Sequence, residues 1–247
     1  MTSPVDEARD RASRYLGALT QGAESEAFAV RDGRSEAAGF LDDLTRDVAV
    51  ASPTELRRVL GFLDDLHELE SPAAARVVAR LAEAQDPTGH WGPANQETQA
   101  VFETGMIAGH LAKSPCASLD LLDAAGDWLA ERFSPDLVQG FRWGNIAAYA
   151  HTFANLSHAA SDEILQWCGR ELERGFRARR FSAVRTARVF VWCDAPVLPG
   201  ARLEPAELVA ALLTEQADDG GFGEGAGERD ARTWDAWVAL ERLSVGR

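Results

Sequence analysis

Gln85-Asp86-Pro87-Thr88-Gly89-His90-Trp91-Gly92 places a glutamine four residues before a glycine and six before an aromatic residue. The same spacing returns at Gln216, Gly220 and Phe222, in the string QADDGGFGEG over residues 216–225. Each copy follows an apolar run with helical spacing, AAARVVARLAEA before the first and AELVAALLTEQ before the second. One such string carries little weight, but two in equivalent settings read as a repeat.

Working outward, helix-start signals stand at Ser71, Ser118, Ser161 and Glu204, each combining a capping residue, a proline or an early acid. The last three lie roughly 43 residues apart, and the step from Ser71 to Ser118 is slightly longer, a period that belongs to stacked helical hairpins. Each unit reads as helix, Gly-containing polar loop, helix. The second helices are ETQAVFETGMIAGHL, GNIAAYAHTFANL, FSAVRTARVFVWC and DARTWDAWVALERL, and only the first and last of their preceding loops keep the full motif. Strand-like alternation is scarce. The pattern predicts an all-α chain, one domain over residues 1–247, with irregular helices in 1–70 and hairpin repeats in 71–247. Gln21 and Phe28 suggest a worn first unit. The string GFLDDL occurs at Gly39 and again at Gly61, and the apolar stripes around it put Asp42, Asp43, Asp64 and Asp65 on solvent-facing sides.

With 247 residues, 46% hydrophobic, the chain is long enough to bury a sizeable core. A formal charge of -14 argues against non-specific affinity for nucleic acid or an anionic membrane. No apolar run is long enough for a membrane span and the N-terminus lacks a secretory signal, so a cytoplasmic location is expected. Cys116, Cys168 and Cys193 show no C-x-x-C pairing and read as reduced, buried small hydrophobes. Against the acidic background, Arg170, Arg174, Arg177, Arg179, Arg180, Arg185 and Arg188 crowd together. They form either a solvated face paired with surplus acids or an anion site.

The Gln-x-x-x-Gly-x-aromatic string resembles the QW motif of the squalene-hopene cyclase and protein-prenyltransferase superfamily, over residues from about 72 to 247. The resemblance implies helical hairpins forming a full or partial α/α toroid, with the motif as a structural fastener. Its functional groups would lie at the N-terminal ends and cavity sides of the inner helices. In this chain those positions include Glu97, Arg142, Trp143, Asn145, Arg179, Arg180 and Asp235. In that reading Arg179 and Arg180, at a helix start, would make a diphosphate pocket, which magnesium could accompany. Phe102, Tyr149, Trp192 and Trp234 would line an apolar chamber and face carbocations.

Toroid prenyltransferases hold zinc with an Asp-x-Cys pair, and none occurs here, so thiol prenylation is not expected and no metal ligands are assigned. Proton-initiated cyclases use D-x-D-D. The nearest string is QADD, leaving Asp218 and Asp219 as catalytic acids, with Glu97 beside them and Glu103, His110, His151 and His158 as further candidates. The expectation is a terpene-cyclase-like isomerase or lyase acting on a hydrophobic isoprenoid, its oligomeric state open. Two alternatives stand beside it: a non-catalytic toroid module binding a lipid, peptide or protein partner, and a transferase or lyase on another hydrophobic natural product.

Overall fold

A computed structural model describes residues 3–93, 95–195, 197–223 and 226–244, except for the side chains of Ala226 and Gly227. Glu224 and Gly225, the end of the second motif string, lie outside them. Among the described residues the secondary structure is helical, without extended strands. The first four helices are α1 (Pro4–Ala18), α2 (Ala23–Arg31), α3 (Ala37–Leu44) and α4 (Pro53–Asp65). The hairpins follow as α5 (Pro72–Ala84) with α6 (Glu97–Ala112), and α7 (Leu119–Arg132) with the short α8 (Pro135–Val138) and α9 (Trp143–Asn155). Next come α10 (Ser161–Arg177) with α11 (Ala183–Trp192), and α12 (Pro205–Glu215) with α13 (Ala226–Ser244). No helix is long and apolar enough to cross a membrane.

The start signals act as capping chemistry. Ser71, Ser118 and Ser182 each accept an amide from the first turn that follows, and Ser52 closes a reciprocal capping box with Glu55. Ser161 is instead the first residue inside α10, and Glu204 caps α12 without a side-chain bond. Each hairpin pairs an amphipathic helix with a more enclosed one. In α5 one stripe is buried, Ala74, Val77, Val78 and Leu81, whereas α9 is buried continuously from Asn145 to Phe153. The enclosed helices touch one another: α6 packs on α4 and α9, and α11 packs on α9 and α13.

The two motifs are built alike. Gln85 ends α5, and its amide donates to Gly89 O at 2.9 Å and to Leu121 O of α7 at 3.1 Å. Gln216 ends α12, and its amide donates to Gly220 O at 3.0 Å and to Ala8 O of α1 at 2.9 Å. The glycines make close backbone approaches: a Cβ on Gly89 would stand 2.2 Å from Ala124 O, and one on Gly220 would stand 2.3 Å from Arg11 O. Both also have positive φ, 97° and 92°, which an L side chain rarely adopts. The aromatic residue is then latched from the next helix. Trp91 N donates to Thr104 Oγ1 and Phe222 N to Thr233 Oγ1, each at 3.0 Å. Trp91 and Phe222 are both buried.

Thus α1 receives the second motif as α7 receives the first, through residues three apart in each helix. Tyr15 donating to Asp230 at 2.8 Å and Trp237 donating to Ser13 at 3.0 Å extend the contact between α1 and α13. Gln21, by contrast, is exposed and fastens nothing, while Phe28 packs edge-on against Trp237. Of the cysteines, Cys168 and Cys193 are buried as expected, but Cys116 is exposed.

Candidate functional site

The residues expected to form one site are dispersed over the fold. Asp218 and Asp219 lie exposed in the turn of the second motif rather than in a chamber. Asp219 accepts the Gly221 amide at 3.0 Å and pairs with Arg229, which is loop-stabilising work.

The arginine cluster is largely paired within the chain. Arg174 bonds Glu171, Arg177 bonds Glu173 at 2.7 Å and Glu207 at 2.8 Å, and Arg188 turns inward. Arg179 and Arg180 are exposed, Arg180 lying over the Phe141 ring. The α11 N-terminus expected to meet a diphosphate is already occupied by Glu215, whose carboxylate accepts from Ala183 N at 2.6 Å and Val184 N at 3.4 Å. An internal carboxylate satisfies the free amides that an anionic ligand would need.

A second group does converge. Glu97, Phe102, Arg142, Trp143 and Asn145 line one depression of about 780 Å³ across the starts of α6 and α9. Phe102 and Trp143 are half-buried, and Glu97 and Arg142 are exposed at its mouth. Asn145 is held by donating to Leu137 O at 2.8 Å, and Trp143 by donating to Arg185 O at 3.2 Å. Arg57 backs the site, lying 5.0 Å from the Phe102 ring centre and bonding Glu103 at 2.8 Å. The starts of α6 and α9 carry no side-chain cap; Trp143 N donates to Phe141 O at 3.0 Å, and other first-turn amides have no side-chain acceptor among the described residues. Tyr149 lies elsewhere, buried between Phe133 and Phe153, with its hydroxyl unpartnered and its pKa raised by burial.

A buried polar cluster lies at the C-terminal end of α4, and it overturns the surface assignment of Asp64 and Asp65. Asp42 and Asp43 do face solvent, but Asp64 and Asp65 are only 5% and 2% exposed. Two carboxylates at a helix C-terminus oppose the helix dipole and so require cations. Arg188 forks onto Asp65 with bonds of 2.8 and 2.6 Å, and the Trp234 indole donates to the same carboxylate at 2.8 Å. Arg188 Nε lies 3.0 Å from Asp235. Lys113 bonds Asp64 Oδ2 at 2.8 Å, while Arg242 and Arg31 donate to the Asp64 and Asp65 carbonyls. Trp234 is therefore a structural donor, and Trp192 lies against His151 and Trp143.

His110 Nδ1 sits 3.3 Å from Asp64 Oδ2 without the alignment of a full hydrogen bond, and the His151 ring meets the His110 ring edge-on at 4.4 Å. Burial lowers the pKa of both histidines, most strongly that of His151, and Asp64 only partly offsets this for His110. Burial alone would raise Asp64, but His110 and Lys113 beside it hold the carboxyl well below the usual range. Burial raises Asp235 to about 6 against the pull of Arg188.

These directions set a pH dependence. His110 and His151 take up protons in the unfolded chain before they do in the folded one, so in chelator-treated protein their contribution is lost as pH falls below about 6.5. Asp64 adds a further loss at more acidic pH, whereas Asp235, with its raised value, favours the folded state as pH falls through about 6. Urea midpoints should therefore drop from about pH 7.5 to about pH 5.5, and the drop should shrink in His151→Phe. An unchanged slope in that variant would assign the effect to other groups.

The sequence reading missed Asp64, Asp65 and Lys113 as interior groups. The signal within reach was an acid pair closing a helix, which needs cationic partners from elsewhere in the chain. No protein-family model matches the sequence, and the searches found no similar curated protein and no similar solved structure.

Proposed function

We propose that the helices close into a two-layered α/α ring of the squalene-cyclase and prenyltransferase type. In this reading the ring is a binding module that holds a hydrophobic small molecule over α6 and α9 without cyclising it. The ring is supported by the second motif: Gln216 and Gly220 meet Ala8 and Arg11 of α1 as Gln85 and Gly89 meet Leu121 and Ala124 of α7. On this reading α1 completes the circuit by serving as the outer helix that follows the last hairpin.

The observation that carries binding over catalysis is the state of the acids. A proton-initiated cyclase needs a neutral carboxylic acid aimed into a dry chamber. Here Asp218, Asp219 and Glu97 are solvated, and Asp64 and Asp65 are held by Lys113 and Arg188. Asp235, the acid whose carboxyl burial raises, faces Arg188 and does not line the depression. The depression instead offers aromatic walls, Phe102 and Trp143, with Arg142 at its mouth to meet an acidic head group. A long-chain lipid acid fits that chemistry.

The test is a titration of intrinsic tryptophan fluorescence with saturated fatty acids and with farnesyl phosphate. A parallel product analysis uses C10, C15 and C20 isoprenyl diphosphates with and without magnesium. Saturable binding without turnover is expected, weakened roughly tenfold by Phe102→Ala, the loss expected when one buried aromatic contact is removed. A cyclic product would replace this reading with the enzymatic one, and absence of any saturable ligand would remove it.

A further inference from the structure

We propose that Asp64, His110 and His151 form a binding site for a divalent transition metal of the zinc class, tying α4, α6 and α9 together. One ligand atom from each residue lies within 4.8 Å of the others, and all three residues are buried. Two imidazoles and a carboxylate suit zinc, cobalt or nickel better than calcium or magnesium, which prefer oxygen. The ligand set contains no cysteine and comes from three different helices.

The second observation is His151. It has no exposed surface, and neither ring nitrogen has a hydrogen-bond partner. Buried polar atoms are nearly always satisfied, so two orphaned nitrogens on one ring call for an occupant. The neighbouring helix also makes room for the ring: a Cβ on Gly109 would stand 2.4 Å from it. Around a tetrahedral ion with bonds of about 2.1 Å, ligand atoms sit roughly 3.4 Å apart. Small rotations of the two imidazoles cover the difference.

Lys113 is the competitor. Its ammonium lies 2.8 Å from Asp64 Oδ2, where it takes the part of a cation. Three carboxylates, Asp64, Asp65 and Asp235, face two cations, Lys113 and Arg188, in this cluster. Arg242 is shared with the exposed Asp194, and Arg31 is paired with Glu241. Replacing one ammonium with a dication therefore moves the cluster from a net negative charge to neutrality. Lys113, at the C-terminal cap of α6, carries a flexible stem that can carry its charge out to solvent. Arg242, which contacts Asp64, also lines a cavity of about 510 Å³ with Asp194 and Val197.

The experiment titrates the chelator-treated full chain with Co²⁺, read by its visible absorption, and with Zn²⁺, read by thermal shift. One ion per chain is expected, with a tetrahedral cobalt spectrum and a raised Tm. His151→Phe keeps a ring against Trp192 and should fold, yet weaken binding by about tenfold or more. Lys113→Met should tighten it by about tenfold, because the competing cation is gone. Absence of saturable binding would overturn the site. So would binding that survives His151→Phe, which would belong to the surface histidines. Weaker binding in Lys113→Met would overturn the competition and make the lysine a supporting group.

Discussion

Arg188→Met is expected to lower the unfolding free energy by about 3–5 kcal/mol, read from urea denaturation near neutral pH. The guanidinium is 4% exposed and meets both oxygens of Asp65, itself 2% exposed, so its removal strands a charge inside the protein. The Trp234 indole would remain as that carboxylate's donor, and one neutral donor does not compensate a buried charge. Arg188→Lys should also be costly, because an ammonium cannot reproduce the two-pronged contact. The double variant Asp65→Leu with Arg188→Met separates the pair's net worth from the penalty of breaking it. It should recover much of the loss, since replacing a buried pair by apolar groups is often close to neutral. A cost below about 1 kcal/mol for Arg188→Met would mean that water reaches the cluster and that the pair behaves as a surface bridge.

Gly220→Ala is expected to cost on the order of 3 kcal/mol, combining a left-handed backbone with a methyl group driven into a carbonyl. The Cβ would stand 2.3 Å from Arg11 O, and backbone on both sides leaves no flexible chain end to yield. The damage should be local. Hydrogen exchange should accelerate in α1, α12 and α13 before it does in α6 and α9, whose contact does not pass through this turn. Gly39→Ala is the control: its Cβ would meet nothing within 4 Å in a half-exposed helix, so a gain of up to about 1 kcal/mol is expected. Equal losses at both glycines would show that the close approach to α1 is not what Gly220 serves.

The repeat was readable because its chemistry is local. Ser71 and Ser118 cap helices wherever they stand, and a Gln-Gly-aromatic turn uses its own residues to close, so α5, α6, α12 and α13 follow from spacing alone. What receives each motif was not readable. Gln216 donates to the carbonyl of Ala8, a group that every residue carries, so nothing in the composition of α1 marks it as the acceptor. Asp64 and Asp65 were misplaced for a different reason. Their apolar neighbours define one buried stripe, and the opposite face was assigned to water, but α6, α11 and α13 bring Lys113, Arg188 and Trp234 to that face. Glu97, Arg142, Trp143 and Asn145 meet at one depression because they stand at the starts of successive second helices, with Phe102 one turn further into α6. Arg179, Arg180, Tyr149, Trp192 and Trp234, read into the same site, do not line it. Asp218 and Asp219 belong to the turn before such a helix, where an acid stabilises the loop and stays in water.

The clasp between α1 and the second motif also has a consequence in time. The Gln216 amide reaches back 208 residues to Ala8, so during synthesis at ordinary rates α1 waits roughly 10 to 40 s for the partner that covers it. Of the helices that pack on α1, α2 is made at once but α12 and α13 are not, so the part of the Val5, Ala8, Ala12 and Leu16 stripe that those two cover stays open throughout that interval. The contact of Gln216 with Ala8 joins two distant segments and closes a long loop, whose entropy cost the packing between α1, α12 and α13 must offset. A nascent chain halted before α12 would expose that apolar stripe, and its aggregation would begin there.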